Sequence, residues 1–247
     1  MNSPPALRHD VSVCFDSAGV PRAPFTPPGW RAGALARPLR RFEDGGGVRS
    51  AIITLPAGWS SGGAAACSTT QQLYVLQGEV ALGGEVLNER AFAVRAGGTA
   101  FAALASPSGA EVLMIFDAPP AFTAADSGAV ATVLHRDVLE VPAPVPVVNG
   151  VAVTGLRRRT LWVDPASGAD TRHLTVGAFE GKGPNWHPVH EEIFCLDGKI
   201  GPDDRRILTA GWFLHNPAFG VHGYHEHSAA GAVLLEWHDG PWQLNYV

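Results

Sequence analysis

The chain is poor in cysteine, in charge and in long apolar runs, and each shortage excludes a class of protein. Its three cysteines, Cys14, Cys67 and Cys195, are far apart, odd in number and never spaced as C-x-x-C. They supply neither a disulfide framework nor a thiolate zinc site, and they read as buried thiols. No segment holds eighteen uninterrupted apolar residues, and the opening "MNSPPALRHD" has no basic patch followed by an apolar stretch. No membrane-crossing helix and no secretory leader are expected, so the expected location is the cytoplasm with no membrane partner. Charged residues make up only 17%, the net charge is −5 and the basic residues are scattered, which argues against a nucleic-acid partner. The one dense basic run, Arg157-Arg158-Arg159, reads as a solvated strand edge.

Glycine and proline are abundant instead, 29 and 20 residues respectively, in a chain that is 46% apolar. They bound short segments rich in Val, Ile, Leu, Phe and Trp, the pattern of many strands in a sandwich or barrel. "SAIITLP" (50–56), "QLYVLQGEVAL" (72–82), "EVLMIFD" (111–117), "RHLTVGAF" (172–179), "EIFCLDG" (192–198) and "AVLLEWHDG" (232–240) all read as strands, and helices of three turns are absent. The fold class is therefore all-β. "GWSSG" (58–62) matches a nucleophile elbow in letters only, because a strand rather than a helix follows it.

An internal repeat organises these strands. "QQLYVLQGEV" (71–80) superposes without a gap on "EEIFCLDGKI" (191–200), and "AEVLMIFDAPP" (110–120) resembles "GAVLLEWHDGP" (231–241). Two copies of one β-module are expected, residues 1–130 and 131–247, with the proline-rich "VPAPVPVV" suited to an extended connector.

Histidine separates the copies. Six of the ten histidines lie between His187 and His227, whereas residues 1–130 hold only His9. In "NWHPVHEEIFCLDG" (185–198) a two-residue period puts His187 and Glu191 on one strand face and turns His190 and Glu192 the other way. "AGWFLHNPAFGVHGYHEH" (210–227) offers His222 as a third donor. Two imidazoles and one carboxylate form the set preferred by non-haem iron and shared by manganese, nickel and zinc, with positions left open for substrate. His225 and His227 read as a solvated H-x-H loop, His215 as structural and His173 as a core residue. Trp186, Phe194, Trp212, Phe213 and Phe219 flank the donors, so a partly aromatic cavity for a small organic molecule is expected.

These motifs resemble those of the cupin superfamily. Its first motif runs G, five residues, H-x-H, three or four residues, E, six residues, G, and here His187, Glu191 and Gly198 fall on the second histidine, the carboxylate and the closing glycine. Its second motif is matched by Gly211, Pro217 and His222, with one residue more before Gly220 and one fewer after it. Asn185 stands where the family has its first histidine, and the corresponding positions of the first copy are Ala65, Cys67 and Gln71. The resemblance implies two tandem cupin barrels, also called double-stranded β-helices or jelly rolls, of which the first lacks metal ligands. It implies a divalent metal ion in the second, iron(II) foremost and otherwise manganese, nickel or zinc. His187, Glu191 and His222 would hold it, with Asn185, His190 or water completing the set. It further implies a dioxygenase-type oxidoreductase acting on a small oxygen-bearing substrate, with Glu192 or His190 as general base, and a homodimer. Cupins also include isomerases and lyases, and a non-catalytic sensor of a small molecule or metal is the alternative from another class.

Overall fold

The computed structural model describes residues 6–247. Among them the only helices are two single 3-10 turns, Ser17–Gly19 and Val138–Glu140, and no helix is long and apolar enough to cross a membrane. Every segment read above as a strand contains one, so the described residues are all-β.

The backbone divides into two compact units, Val20–Glu140 and Val141–Val247 joined by the described part of Met1–Gly19. The strands that build their main sheets are β1 (Val13–Asp16), β2 (Ala23–Pro24), β3 (Leu35–Arg41), β4 (Val48–Leu55), β5 (Gln71–Gly78), β6 (Phe92–Arg95), β7 (Ala110–Phe116) and β8 (Val133–His135). They continue with β9 (Leu156–Val163), β10 (Asp170–Val176), β11 (Glu191–Ile200), β12 (Leu208–Thr209), β13 (Trp212–Asn216) and β14 (Ala232–His238). The first unit orders its sheet β8-β6-β5-β7-β4-β3-β2, and the second orders its own β1-β13-β11-β14-β10-β9 with β12 added to β11. All pairings are antiparallel. Sequence pattern does not reveal β1, which joins the second unit from the far end of the chain.

The repeat has a backbone counterpart in two glycines. Gly78 in β5 and Gly198 in β11 have φ of +77° and +74°, and a Cβ on either would lie 2.2 or 2.3 Å from the carbonyl oxygen of Gly109 or Gly231. Only glycine adopts that bend with so close a strand behind it. The first unit then fills its interior with Leu73, Val75, Met114, Phe116, Trp30, Trp59 and Phe122. Each such buried side chain contributes about 1.5–3 kcal/mol. The second unit packs Leu174, Val176, Ile193, Leu214 and Leu234 in the same way, but these side chains also line a cavity of about 340 Å³.

Candidate metal centre

Strand alternation selects what faces this cavity. Arg158, Arg172, Glu191, Asn216 and Glu236 point into it from β9, β10, β11, β13 and β14, and Asn185, His187, His222, Glu226 and Trp242 come from the connecting segments. A short backbone ladder brings the two histidine segments together. Asn185 and His222 exchange N–H···O bonds of 2.9 Å in both directions, and the Phe219 N–H donates to the His187 carbonyl at 2.8 Å. Phe219 takes a left-handed φ of +60°, unusual for an aromatic residue, and its ring packs on Trp186 at 5.7 Å. Gly223 beside it must be glycine, since a Cβ there would lie 2.4 Å from the Asn185 side-chain nitrogen.

His187, Glu191 and His222 converge, with one donor atom from each lying within 4.8 Å of the others. His187 Nδ1 is 2.9 Å from the Gln243 carbonyl and His222 Nδ1 is 2.9 Å from the Gly220 carbonyl. A carbonyl only accepts, so both Nδ1 atoms carry hydrogen, and a ring with no second proton turns its Nε2 lone pair inward. Those two nitrogens face one another at 3.1 Å and lie 3.4 and 3.5 Å from the Glu191 carboxylate. Opposed lone pairs repel, and a shared cation relieves that repulsion. Burial, against the pull of Glu191, brings His187 down to about 4, so its ring is neutral and able to ligate near pH 7. The Oδ1 of Asn185, also in the cavity wall, is buried with no hydrogen-bond partner. This donor set suits a divalent ion.

Superposition on solved structures places the backbone. The chain aligns over 95% of its length with 82% of a candidate dioxygenase from Nostoc punctiforme, at a TM-score of 0.80 and 16% identity. It aligns over its whole length with 80% of oxalate decarboxylase from Bacillus subtilis (TM-score 0.58, 13% identity). It also aligns over 79% of its length with 71% of salicylate 1,2-dioxygenase from Pseudoaminobacter salicylatoxidans bound to gentisate (TM-score 0.55, 10% identity). The fold is the cupin fold. No family model and no curated protein matches the chain.

Beside the three donors this chain carries a charged network that sequence reasoning missed. His238 Nδ1 donates to Asp170 Oδ1 at 2.6 Å, and its Nε2 lies 3.3 Å from Glu191 Oε1. Burial disfavours a charged ring, yet hydrogen bonds to Asp170 and Glu191 outweigh it and raise His238 to about 9. Asn216 Nδ2 donates to the other oxygen of Glu191 at 2.7 Å. Burial alone would raise Glu191, but His187, His238 and His222 together hold its carboxyl well below the usual range. Arg172 binds Asp170 Oδ2 at 2.6 Å and Glu236 Oε1 at 3.2 Å, and its guanidinium lies 4.6 Å from the Trp242 ring centre. Glu191, Glu236 and His238 form a second possible metal group, but protons and Arg172 already satisfy these atoms. The available signal was "EWH", which puts Glu236 and His238 two apart on one strand face.

Two candidates named from the sequence face elsewhere. His190 Nδ1 meets His215 Nε2 at 3.0 Å with the rings stacked, and its backbone N–H donates to Asp239. Glu192 is buried opposite His215 and Trp237. Neither lines the cavity, because each stands one residue out of phase with Glu191. The cavity is partly aromatic, and its rings are Phe179, Trp242 and Tyr246 rather than the flanking Trp186, Phe194, Trp212, Phe213 and Phe219. His225 is exposed and bonded to Asp204, and His227 bonds the His225 carbonyl, both away from the cavity wall. His173 is buried. Cys67 and Cys195 are buried and Cys14 partly so, all three free, and burial pushes Cys195 up to about 11.

Proposed function

We propose that this chain is a metal-dependent cupin enzyme of the dioxygenase type, built of two tandem barrels of which only the second holds a divalent ion. One observation carries the reading: Nε2 of His187, Nε2 of His222 and the Glu191 carboxylate meet at the cavity wall with both Nδ1 atoms already committed to backbone carbonyls. Iron(II) is the ion we assign first, with manganese, nickel and zinc accepted by the same donors. Asn185, with its unpartnered Oδ1, is the fourth donor we assign. The chemistry such an ion supplies is Lewis-acid polarisation of an oxygen-bearing organic molecule and, for iron, activation of dioxygen.

The chain's own residues do the rest. Asp170, His238 and Asn216 orient Glu191, as hydrogen-bonded partners of a ligating carboxylate do. Leu174, Val176, Ile193, Leu214 and Leu234 keep water from the substrate, and the cavity volume suits a small molecule. Burial and the nearby Glu191 and Glu236 push Glu226 up to about 8, so it carries a proton at its carboxyl near pH 7. We therefore assign proton transfer to Glu226 rather than to His190 or Glu192. The proposal includes a homodimer, which sedimentation of the purified protein tests.

Metal analysis of protein purified without added metal, beside folded His187→Ala and His222→Ala, tests the centre. About one ion per chain is expected in the wild type and none in either variant. Oxygen uptake with acetylacetone and other enolisable compounds then tests the reaction. A wild type that takes up neither iron, manganese, nickel nor zinc would sink the reading.

A further inference from the structure

The basic run that looks like a solvated edge in the sequence is divided by the pleat of β9. Arg158 stands opposite Leu174, and both line the cavity. Arg157 and Arg159 stand opposite Thr175 and His173 and do not line it, and Arg159 Nη1 donates instead to Thr175 Oγ1 at 3.2 Å. One arginine of three is thus turned inward. Its backbone N–H is bonded to the Pro144 carbonyl, which fixes the strand from which the side chain projects.

The other cations of the wall have different circumstances. Arg172 is neutralised by Asp170 and Glu236, and Lys182 is exposed on a loop where water solvates it. Arg158 is partly buried, and its guanidinium makes no hydrogen bond or ion pair with any described residue. Burial and the nearby Arg172 lower its pKa from the ordinary value, against the pull of Glu236 and Asp170, but an arginine keeps its proton at neutral pH. A partly desolvated guanidinium whose donors have no acceptor in contact gains when an anion arrives. The planar fork of a guanidinium matches the two oxygens of a carboxylate.

The charge of the cavity points the same way. Even with Asp170, Glu191 and Glu236 all ionised, the charges of Arg158, Arg172 and His238 offset them, and a divalent ion at the His187 cluster would leave an excess of positive charge. An anionic ligand reduces that excess. We infer that Arg158 is the carboxylate-binding residue of this cavity and that its substrate is the anion of a carboxylic acid. Arg158 holds one end, and an oxygen at the other end reaches the His187, Glu191 and His222 cluster; this second contact and the charge balance rest on the metal reading above, whereas the unpaired Arg158 donors do not.

Calorimetric titration with matched probes tests the inference: benzoate against benzamide, 2-oxobutanoate against 2-oxobutanamide, and salicylate against salicylamide. The proteins are wild type loaded with zinc, which is redox-inert, wild type without metal, Arg158→Gln and Arg158→Lys. At least one acid is expected to bind the wild type ~10-fold or more tighter than its amide, the scale of charge-assisted hydrogen bonds. Arg158→Gln should abolish that preference and Arg158→Lys retain part of it. Both variants should bind zinc and melt like wild type, because the side chain they replace makes no hydrogen bond or ion pair with any described residue. Equal binding of every acid and amide, no binding of any acid, or a preference that survives Arg158→Gln overturns the inference. An Arg158-dependent preference for acids in a wild type that takes up no metal would support it while ending the metal reading.

Discussion

Gln71 and Glu191 occupy the same register position in two sheets that share a bend, and the two units differ most around them. In the first, Gln71 stands between Arg95 and Phe116, and Met114 stands opposite Ala51. In the second, Glu191 stands between Asn216 and His238, and Glu236 stands opposite Arg172. The first unit thereby closes its interior with Phe116 and Met114, and the Gln71 amide has only the Met114 sulfur and Arg95 for polar company. The second leaves space and holds it open with Asp170, Arg172, Glu236 and His238. One backbone thus supports either an apolar core stabilised by burial or a polar network whose unused lone pairs converge.

Exchanging residues between the units breaks this contrast. The largest effect is expected for His238→Phe, which imports Phe116 and leaves Asp170 and Glu191 without their shared donor. Loss of one partner from a buried charged network costs roughly 3–5 kcal/mol, read from urea unfolding of metal-free protein. A change below about 1 kcal/mol would show the network to be dispensable. Next is Glu191→Gln, which imports Gln71. Zinc affinity should fall more than ~100-fold, beyond the loss typical of residues that merely support a ligand, with competition against a chelator as the readout.

The pH dependence sharpens the contrast further. His238 is raised to about 9 from the ordinary 6.5, so its stabilising contribution is complete below about 6.5 and is lost as pH rises through 9. In metal-free protein the decline should be on the order of 2–3 kcal/mol, and it should vanish in His238→Phe, whose phenylalanine matches that of the first unit. The smallest effect tests what the units share. Gly78→Ala and Gly198→Ala should each cost roughly 1–3 kcal/mol, since a Cβ at either φ meets a carbonyl. Unequal losses in thermal unfolding would mean that the two bends are not equivalent.

The strands and the donors His187, Glu191 and His222 were legible because each rests on short-range pattern: alternation, glycine punctuation and motif spacing. His190 and Glu192 show the limit. The two-residue period already turned them away from Glu191, yet closeness along the chain had suggested a shared role in chemistry. His238 lay unnoticed in "AVLLEWHDG" because its partners, Asp170 and Glu191, are 68 and 47 residues away. Arg158 was hidden by its neighbours, since three arginines in a row look like one exposed surface.

Composition and periodicity along the chain are enough to make the protein all-β and to confine its candidate metal donors to the second half of the chain. Those properties depend on which side of a strand each residue occupies, and that is a local matter of backbone geometry. Which side chains then meet was settled only by folding. Antiparallel pairing carried β14 beside β11 and β10, joined Asn185 to His222, and turned one arginine of three into the cavity, because side-chain proximity in a sheet depends on the register between strands that are distant in sequence.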